Sequence, residues 1–279
     1  MNGFFLNLAP TGMVPTRAMS PHVPLSVDEI VADACRCIEL GVNILHLHAR
    51  DDLGQPSQSK AIYGRLIAGI REFNDEVVIG VSLSGRNVSE FEERARPLEL
   101  TGDLRPDMAS LTLSSLNFRQ GASVNSPDVI QRLAARMLEA GIKPELEIFD
   151  AGMLNYARYL LAQGLLEGPC YFNILLGNIA STQATPLALG ALLADLPQDA
   201  YWCGGGVGSA QLAMNNLGLL FGHGARVGLE DYLWMDRERT QPASNSDLVV
   251  RLLDMAKLLG KVPASPAQAR KALGIKPLG

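Results

Sequence analysis

Short apolar runs and amphipathic stretches alternate along this chain from its first residues to about residue 230. Residues 4–9 (FFLNLA) end at a Pro-Thr-Gly turn and predict a first strand. Ser26, with Glu29 three residues on, is a capping-box signature. It opens a helix with Ile30, Ala34, Ile38 and Leu40 roughly along one side, which stops at Gly41. Residues 42–48 then read as a strand and 58–73 as a helix. The same pairing recurs at 77–82 with about 89–100, at 107–111 with a helix from near Ser126, and at 144–149 with about 153–163. Residues 170–176 precede a helix after Pro186. A short strand at 200–203 leads into a glycine-rich turn and a helix from Ser209, and 226–230 reads as an eighth strand.

Eight repeats of roughly 30 residues with short connections predict a (β/α)8 TIM barrel, because that number fits barrel closure better than a doubly wound sheet. Segments 244–260 and 265–273 are expected to close the barrel as extra C-terminal helices. Long loops near 11–25 and 112–126 are candidate lids or oligomer contacts. No linker divides the chain, so residues 1–279 read as one domain.

Composition narrows the function. An apolar fraction of 47% with 19% charged residues excludes intrinsic disorder. A net charge of −5 without a basic run argues against a nucleic-acid surface. Four irregularly spaced cysteines do not make a disulfide framework. No run approaches the ~18 apolar residues of a membrane span. Residues 1–10 lack a signal peptide's basic start and long apolar core, so the cytosol is the expected compartment.

The candidate chemistry lies at strand ends, which form the active-site face of such a barrel. His46 and His48 sit two residues apart and project to one side of their strand. With Glu230 from strand eight they make a two-histidine, one-carboxylate set that suits zinc, and equally Fe(II) or Mn(II). Arg226 points into the barrel below Glu230 and needs an anionic partner, for which Glu147 and Asp231 are the candidates. Such a cluster reads either as a stabilising ion-pair network or as a general base with its orienter. The glycines of 203–209, notably Gly205, Gly206 and Gly208, read as a phosphate-binding turn, with tight backbone packing as the alternative. His223 reads as structural, and His22 has no assigned role.

Several blocks together resemble one family. They are Ala9–Gly12 (APTG), Ile44–Arg50 (ILHLHAR), Ser82–Gly85 (SLSG), Met108–Leu111 (MASL), Ser115–Phe118 (SLNF), Pro144–Glu147 (PELE) and Arg226–Asp231 (RVGLED). In this order along the chain they look like the β-keto acid cleavage enzymes. The resemblance implies a zinc-dependent TIM barrel, usually a homotetramer, that uses acetyl-CoA to convert a β-keto acid into acetoacetate and a new acyl-CoA. It also implies that His46, His48 and Glu230 bind zinc and that Ser82, Gly85 and Ser110 contact substrate. Glu147, Arg226 and Asp231 would then form the acid–base network, with Asp231 as base. Zinc would acidify the C2 hydrogens of the chelated keto acid, and no protein nucleophile is required.

One position departs from the pattern. Val14 stands where the aminohexanoate-cleaving type carries a glutamate for the substrate's ammonium group. A neutral distal group is therefore expected on the substrate, with an anionic one as second choice because Arg86 follows Gly85. Two other readings stay open: a metal-dependent lyase or aldolase that works without CoA, and a non-catalytic metal-binding or sensing barrel.

Overall fold

The computed structural model describes residues 3–276. Its parallel strands are β1 (Phe5–Leu8), β2 (Ile44–Leu47), β3 (Val78–Val81), β4 (Met108–Thr112), β5 (Lys143–Ile148), β6 (Tyr171–Leu176), β7 (Tyr201–Gly206) and β8 (Gly224–Val227). They close in sequence order, with β8 pairing back onto β1 through Phe5–Gly224 to Leu8–Val227. This is the (β/α)8 barrel the alternation predicts.

Side-chain caps hold most of the long helices, and those at Ser26 and Ser126 coincide with the helix starts expected from the sequence. Helix α1 (Val27–Glu39) carries the Ser26/Glu29 capping box, and α2 (Lys60–Phe73) is capped by Ser59. Ser126 caps α4 (Pro127–Ala140), which ends at Gly141 in the left-handed region, φ 63°. Asp150 caps α5 (Ala151–Ala162), Thr185 caps α6 (Pro186–Ala194), and α7 spans Gln211–Phe221. Two closing helices follow, α8 (Asn245–Leu258) and α9 (Pro266–Leu273), both with capping boxes. None of the helices among the described residues is long and apolar enough to cross a membrane.

Three expectations needed correction. The helix expected over 89–100 is a single turn, α3 (Phe91–Arg94), followed by a 3₁₀ turn at Arg96–Glu99. Pro97 lies in that second turn and donates no N–H, so the first cannot run on as an α-helix. Strand β7 extends through Gly206, where a turn was expected. Strand β8 stops at Val227 and the chain turns at Gly228 (φ 149°), which passes so close to the backbone of Ala9 that no Cβ would fit. Glu230 and Asp231 therefore sit in the turn after β8.

Alternation along the strands divides the side chains between two cores. Outward residues such as Leu6, Leu45, Ile79, Leu111 and Phe172 pack under the helices. Inward residues Phe5, Ile44, Val78, Met108, Tyr171 and Cys203 fill the N-terminal end of the barrel, where Ala269 and Leu273 of α9 plug it. Phe5 meets Tyr171 edge-on across the barrel, with centroids 5.8 Å apart. Above this apolar floor the inward positions turn polar, and the chemistry begins there.

Candidate active site

His46 and Glu145 form a buried polar pair above the apolar floor. Glu145 Oε2 lies 2.6 Å from His46 Nδ1, and both side chains are buried. A carboxylate only accepts, so His46 donates from Nδ1 and turns Nε2 toward the mouth. Glu145 Oε1 is saturated by amide donors from Asn7, at 2.8 Å, and from Asn173. Gly80 makes room, since a Cβ there would stand 3.3 Å from Glu145 Oε2. Burial works against the His46 imidazolium, but the Glu145 carboxylate outweighs it and brings the pKa up to about 9. Burial likewise opposes the charge on Glu145, yet His46 holds its pKa below the ordinary carboxylate value.

One layer higher the predicted ligands converge. His46 Nε2 is 3.2 Å from His48 Nε2, and His48 Nε2 is 3.1 Å from Glu230 Oε1. His46 Nε2 and Glu230 Oε2 are 3.8 Å apart. Ligands about 2.0 Å from a tetrahedral ion stand about 3.3 Å from one another, so the set fits a small divalent cation. Glu230 Oε2 is buried without a hydrogen-bond partner, a position that a cation satisfies. Burial opposes ionisation of Glu230, but His48, Arg226 and His46 hold it well below the usual range. The loop after β1 crosses directly over this carboxylate at Gly12 (φ 67°), where a Cβ would meet Glu230 Cγ at 2.6 Å.

Arg226 joins the ligand set to the neighbouring carboxylates. It lies 3.3 Å from Glu147, 2.9 Å from Glu230 and 3.1 Å from Asp231. Both partners expected for it are thus present, with Glu230 as a third. Burial disfavours the Arg226 charge, but Asp231, Glu230 and Glu147 outweigh that and hold it firmly protonated. Burial pushes Asp231 up to about 6 against the pull of Arg226. Thr112 Oγ1 donates to Glu147 Oε2 at 2.6 Å and fixes its orientation.

The remaining predicted residues separate into two groups. Ser82 and Ser110 are buried, and their hydroxyl oxygens accept from Ser84 N at 3.3 Å and Leu83 N at 3.0 Å. No acceptor among the described residues takes either hydroxyl hydrogen, so both are left to donate. Gly85 lies under Arg94 and Val124, where a Cβ would meet Val124 O at 2.4 Å. Val14 is half-buried in the first loop, which Arg50 ties down by donating to Gly12 O at 2.6 Å and Pro15 O at 3.0 Å. Arg86 is half-buried, with its guanidinium carbon 3.8 Å from the Phe118 ring centre.

The glycines of β7 are explained by packing. A Cβ on Gly205 would meet Leu175 at 2.6 Å and Arg226 at 3.4 Å, and one on Gly206 would meet Ala210 at 2.5 Å. Gly208 donates its N–H to Asp231 O at 2.8 Å. These contacts are the tight backbone packing expected as the alternative to a phosphate-binding turn at Gly205, Gly206 and Gly208. The first two lie in a paired strand that makes room for Arg226 and α7, and the third anchors the Asp231 turn.

Glu145, Asn7 and Asn173, which hold His46 from below, are the site residues the sequence pattern did not single out. The available signal was the two-residue spacing of Glu145 and Glu147, which puts both on the inner face of β5.

A parallel barrel that gathers two histidines, a glutamate and an arginine-held aspartate at the C-terminal ends of its strands defines a barrel enzyme equipped to hold a divalent ion. The profile of the beta-keto acid cleavage enzymes matches residues 4–275, and the chain belongs to that family. It is 34% identical to a 3-keto-5-aminohexanoate cleavage enzyme of Fusobacterium nucleatum, over 99% of both chains. It is 35% identical to a 3-oxoadipate:acetyl-CoA acetyltransferase of Cupriavidus necator, over 97% of this chain and 94% of the other. Apo ObcA shares the fold, with a TM-score of 0.81 at 19% identity, over 92% of this chain and 66% of its own.

Proposed function

We propose that the protein is a zinc-dependent transferase that acts on a β-keto acid and acetyl-CoA and releases acetoacetate and the CoA thioester of the remaining acyl fragment. The observation that carries this reading is the pairing of the His46–His48–Glu230 set with Asp231, a carboxylate held on Arg226 one residue from a ligand. Zinc held by His46, His48 and Glu230 would supply Lewis acidity and so lower the pKa of the keto acid's C2 hydrogens. The donor set itself also accepts Fe(II) or Mn(II).

The side chains account for the rest. Asp231 takes a C2 proton, directly or through one water, and Arg226 keeps its carboxylate aimed. The C2 carbanion attacks the acetyl thioester, a C–C bond forms, and the C–S bond breaks to release CoA thiolate. The thiolate attacks the original keto carbon. The C2–C3 bond then breaks, its electron pair stays on C2, and Asp231 returns the proton there to complete acetoacetate. The hydroxyl hydrogens of Ser82 and Ser110 are available to the substrate carboxylate.

The reaction needs no cysteine nucleophile, and burial pushes the Cys37 and Cys203 thiols up to about 12. Val14 offers no countercharge to an ammonium group, so amino-substituted keto acids are poor substrates in this reading. The homotetramer and the cytosolic setting implied by the resemblance belong to the same proposal, and sedimentation of the purified protein measures the former.

A panel of β-keto acids incubated with acetyl-CoA and the zinc-loaded protein tests it. Acetoacetate should form only when acetyl-CoA is present. Cleavage without acetyl-CoA would make the protein a lyase. Stoichiometric metal with no turnover of any panel member would make it a binding barrel.

A further inference from the structure

The arginines around the mouth are satisfied in different ways, with one exception. Arg226 meets three carboxylates. Buried Arg94 spends its guanidinium on Leu83 O, Val124 O and Asn125 Oδ1. Arg50 donates to Gly12 O, Pro15 O and Gly54 O. Arg86 has no ion-pair or hydrogen-bond partner for its side chain among the described residues, and its Nε is buried. What holds it is the face of Phe118. A cation–π contact orients a guanidinium but does not use its N–H groups, so the donor fork remains open.

The surroundings fix that orientation. Phe118 stands on the hairpin of Leu116–Phe118 and Gly121–Ser123, edge-on to Phe149 with centroids 5.8 Å apart. Asn178 pins the same hairpin by donating to Asn117 O at 2.9 Å. Arg94 clamps the other side, bonding both the loop after β3 at Leu83 and the hairpin's return at Val124. Burial lowers the pKa of Arg86, and the charges that favour its cation are Glu230, Glu147 and Asp231. The guanidinium therefore feels the carboxylates of the mouth without pairing to any of them.

A half-buried cation with an open planar fork is complementary to a carboxylate or a phosphate. Building on the function proposed above, we infer that Arg86 is a specificity-determining residue that binds a second carboxylate at the far end of the substrate, so that the protein prefers β-keto dicarboxylates. Uncharged Val14 on the first loop neither competes for that anion nor welcomes a cation. The expectation of a neutral distal group, which rested on Val14 alone, gives way to its anionic alternative. The phosphates of CoA offer the same chemistry from another source, and the test separates the two.

The experiment compares kcat/KM for 3-oxoadipate and for 3-oxohexanoate, two keto acids of equal chain length, with acetyl-CoA at several concentrations. Wild type should favour 3-oxoadipate by about 10- to 100-fold, the range of a charge-assisted hydrogen bond. R86M should lose most of that ratio and R86K should keep part of it. If both substrates react and wild type shows no preference for the diacid, the inference fails while the transferase reading stands; this result does not depend on the folding of any variant. An R86M effect confined to the KM of acetyl-CoA, equal for both keto acids, assigns Arg86 to CoA phosphate and also overturns it. No turnover of either keto acid would sink the transferase reading for both, and the inference with it.

Discussion

Glu230 and Asp231 are adjacent carboxylates, and their partners separate them. Glu230 faces both histidines and keeps one oxygen free, whereas Asp231 spends both oxygens on Arg226. D231N should therefore keep fold and metal but lower kcat by about 10²- to 10⁴-fold, the contribution of a positioned base. Elemental analysis alongside steady-state kinetics checks it, and a variant within a few-fold of wild type would move the base to Glu147. H48A, by contrast, should lose stoichiometric metal while its far-ultraviolet circular dichroism is unchanged. Glu145 acts one step further out, through the Nδ1–H of His46. In E145Q the amide oxygen can still accept but carries no charge, so metal affinity should fall about 10- to 100-fold. Competition with a graded chelator measures that loss directly, and excess metal should restore activity. Unchanged affinity would leave Glu145 as barrel filling. The candidate ligand pair was legible in the sequence because His46 and His48, two residues apart at a strand end, must share one side of the strand. Glu145 was not, since one inward glutamate looks like another until depth in the barrel separates them.

At the scale of elements, α1 shows how a local signal becomes stability. Glu29 accepts from Leu25 N at 2.9 Å and Ser26 N at 3.1 Å, and it pairs with Arg17 at 2.6 Å. The backbone N–H of Leu25 is the largest influence that lowers its pKa to about 2. A depressed carboxylate stabilises the fold above its unfolded pKa, and that contribution fades as pH falls from about 4.5 toward 2. E29Q should thus melt a few degrees lower at pH 7, a cost of about 1 kcal/mol for a half-exposed cap. The gap to wild type should narrow below pH 4.5, and a gap constant with pH would show that charge is not involved. Elements with such end signals were the ones read well: Ser26, Ser126 and Ser244 each mark a helix start. Those misread lacked them. Gly204–Gly206 carry a turn's composition, yet they sit in β7 because α7 and Arg226 press against that strand and leave no space for a side chain. Tertiary packing overrode local propensity there.

Across the whole molecule the barrel has a chemical end and a structural end. At the structural end α9 lies against the inward floor of Phe5, Ile44, Val78, Met108 and Tyr171 through Ala269 and Leu273. Arg270 locks it there with two bonds to Asp107, at 2.6 and 2.9 Å. Asp107 is fully buried, accepts Ile79 N at 2.9 Å and has Arg71 3.4 Å away. Removing Arg270 leaves a buried carboxylate with a single, longer ion pair, which costs about 2–4 kcal/mol. Removing the Leu273 side chain opens a cavity beneath the floor at a similar cost, about 2–4 kcal/mol. R270M and L273A should each lower the urea midpoint by on the order of 1 M. The polar layer of Asn7, Glu145 and Asn173 separates this plug from His46 Nε2 and His48. At 25 °C without denaturant, both variants should therefore keep kcat/KM within a few-fold of wild type. Urea titration followed by circular dichroism, with activity assayed on the same samples, checks both halves. A large fall in kcat/KM at an unchanged midpoint would mean that α9 acts on the site through the barrel interior. A fall in midpoint with intact turnover would establish the division between a plug that holds the barrel closed and a mouth that carries the reaction.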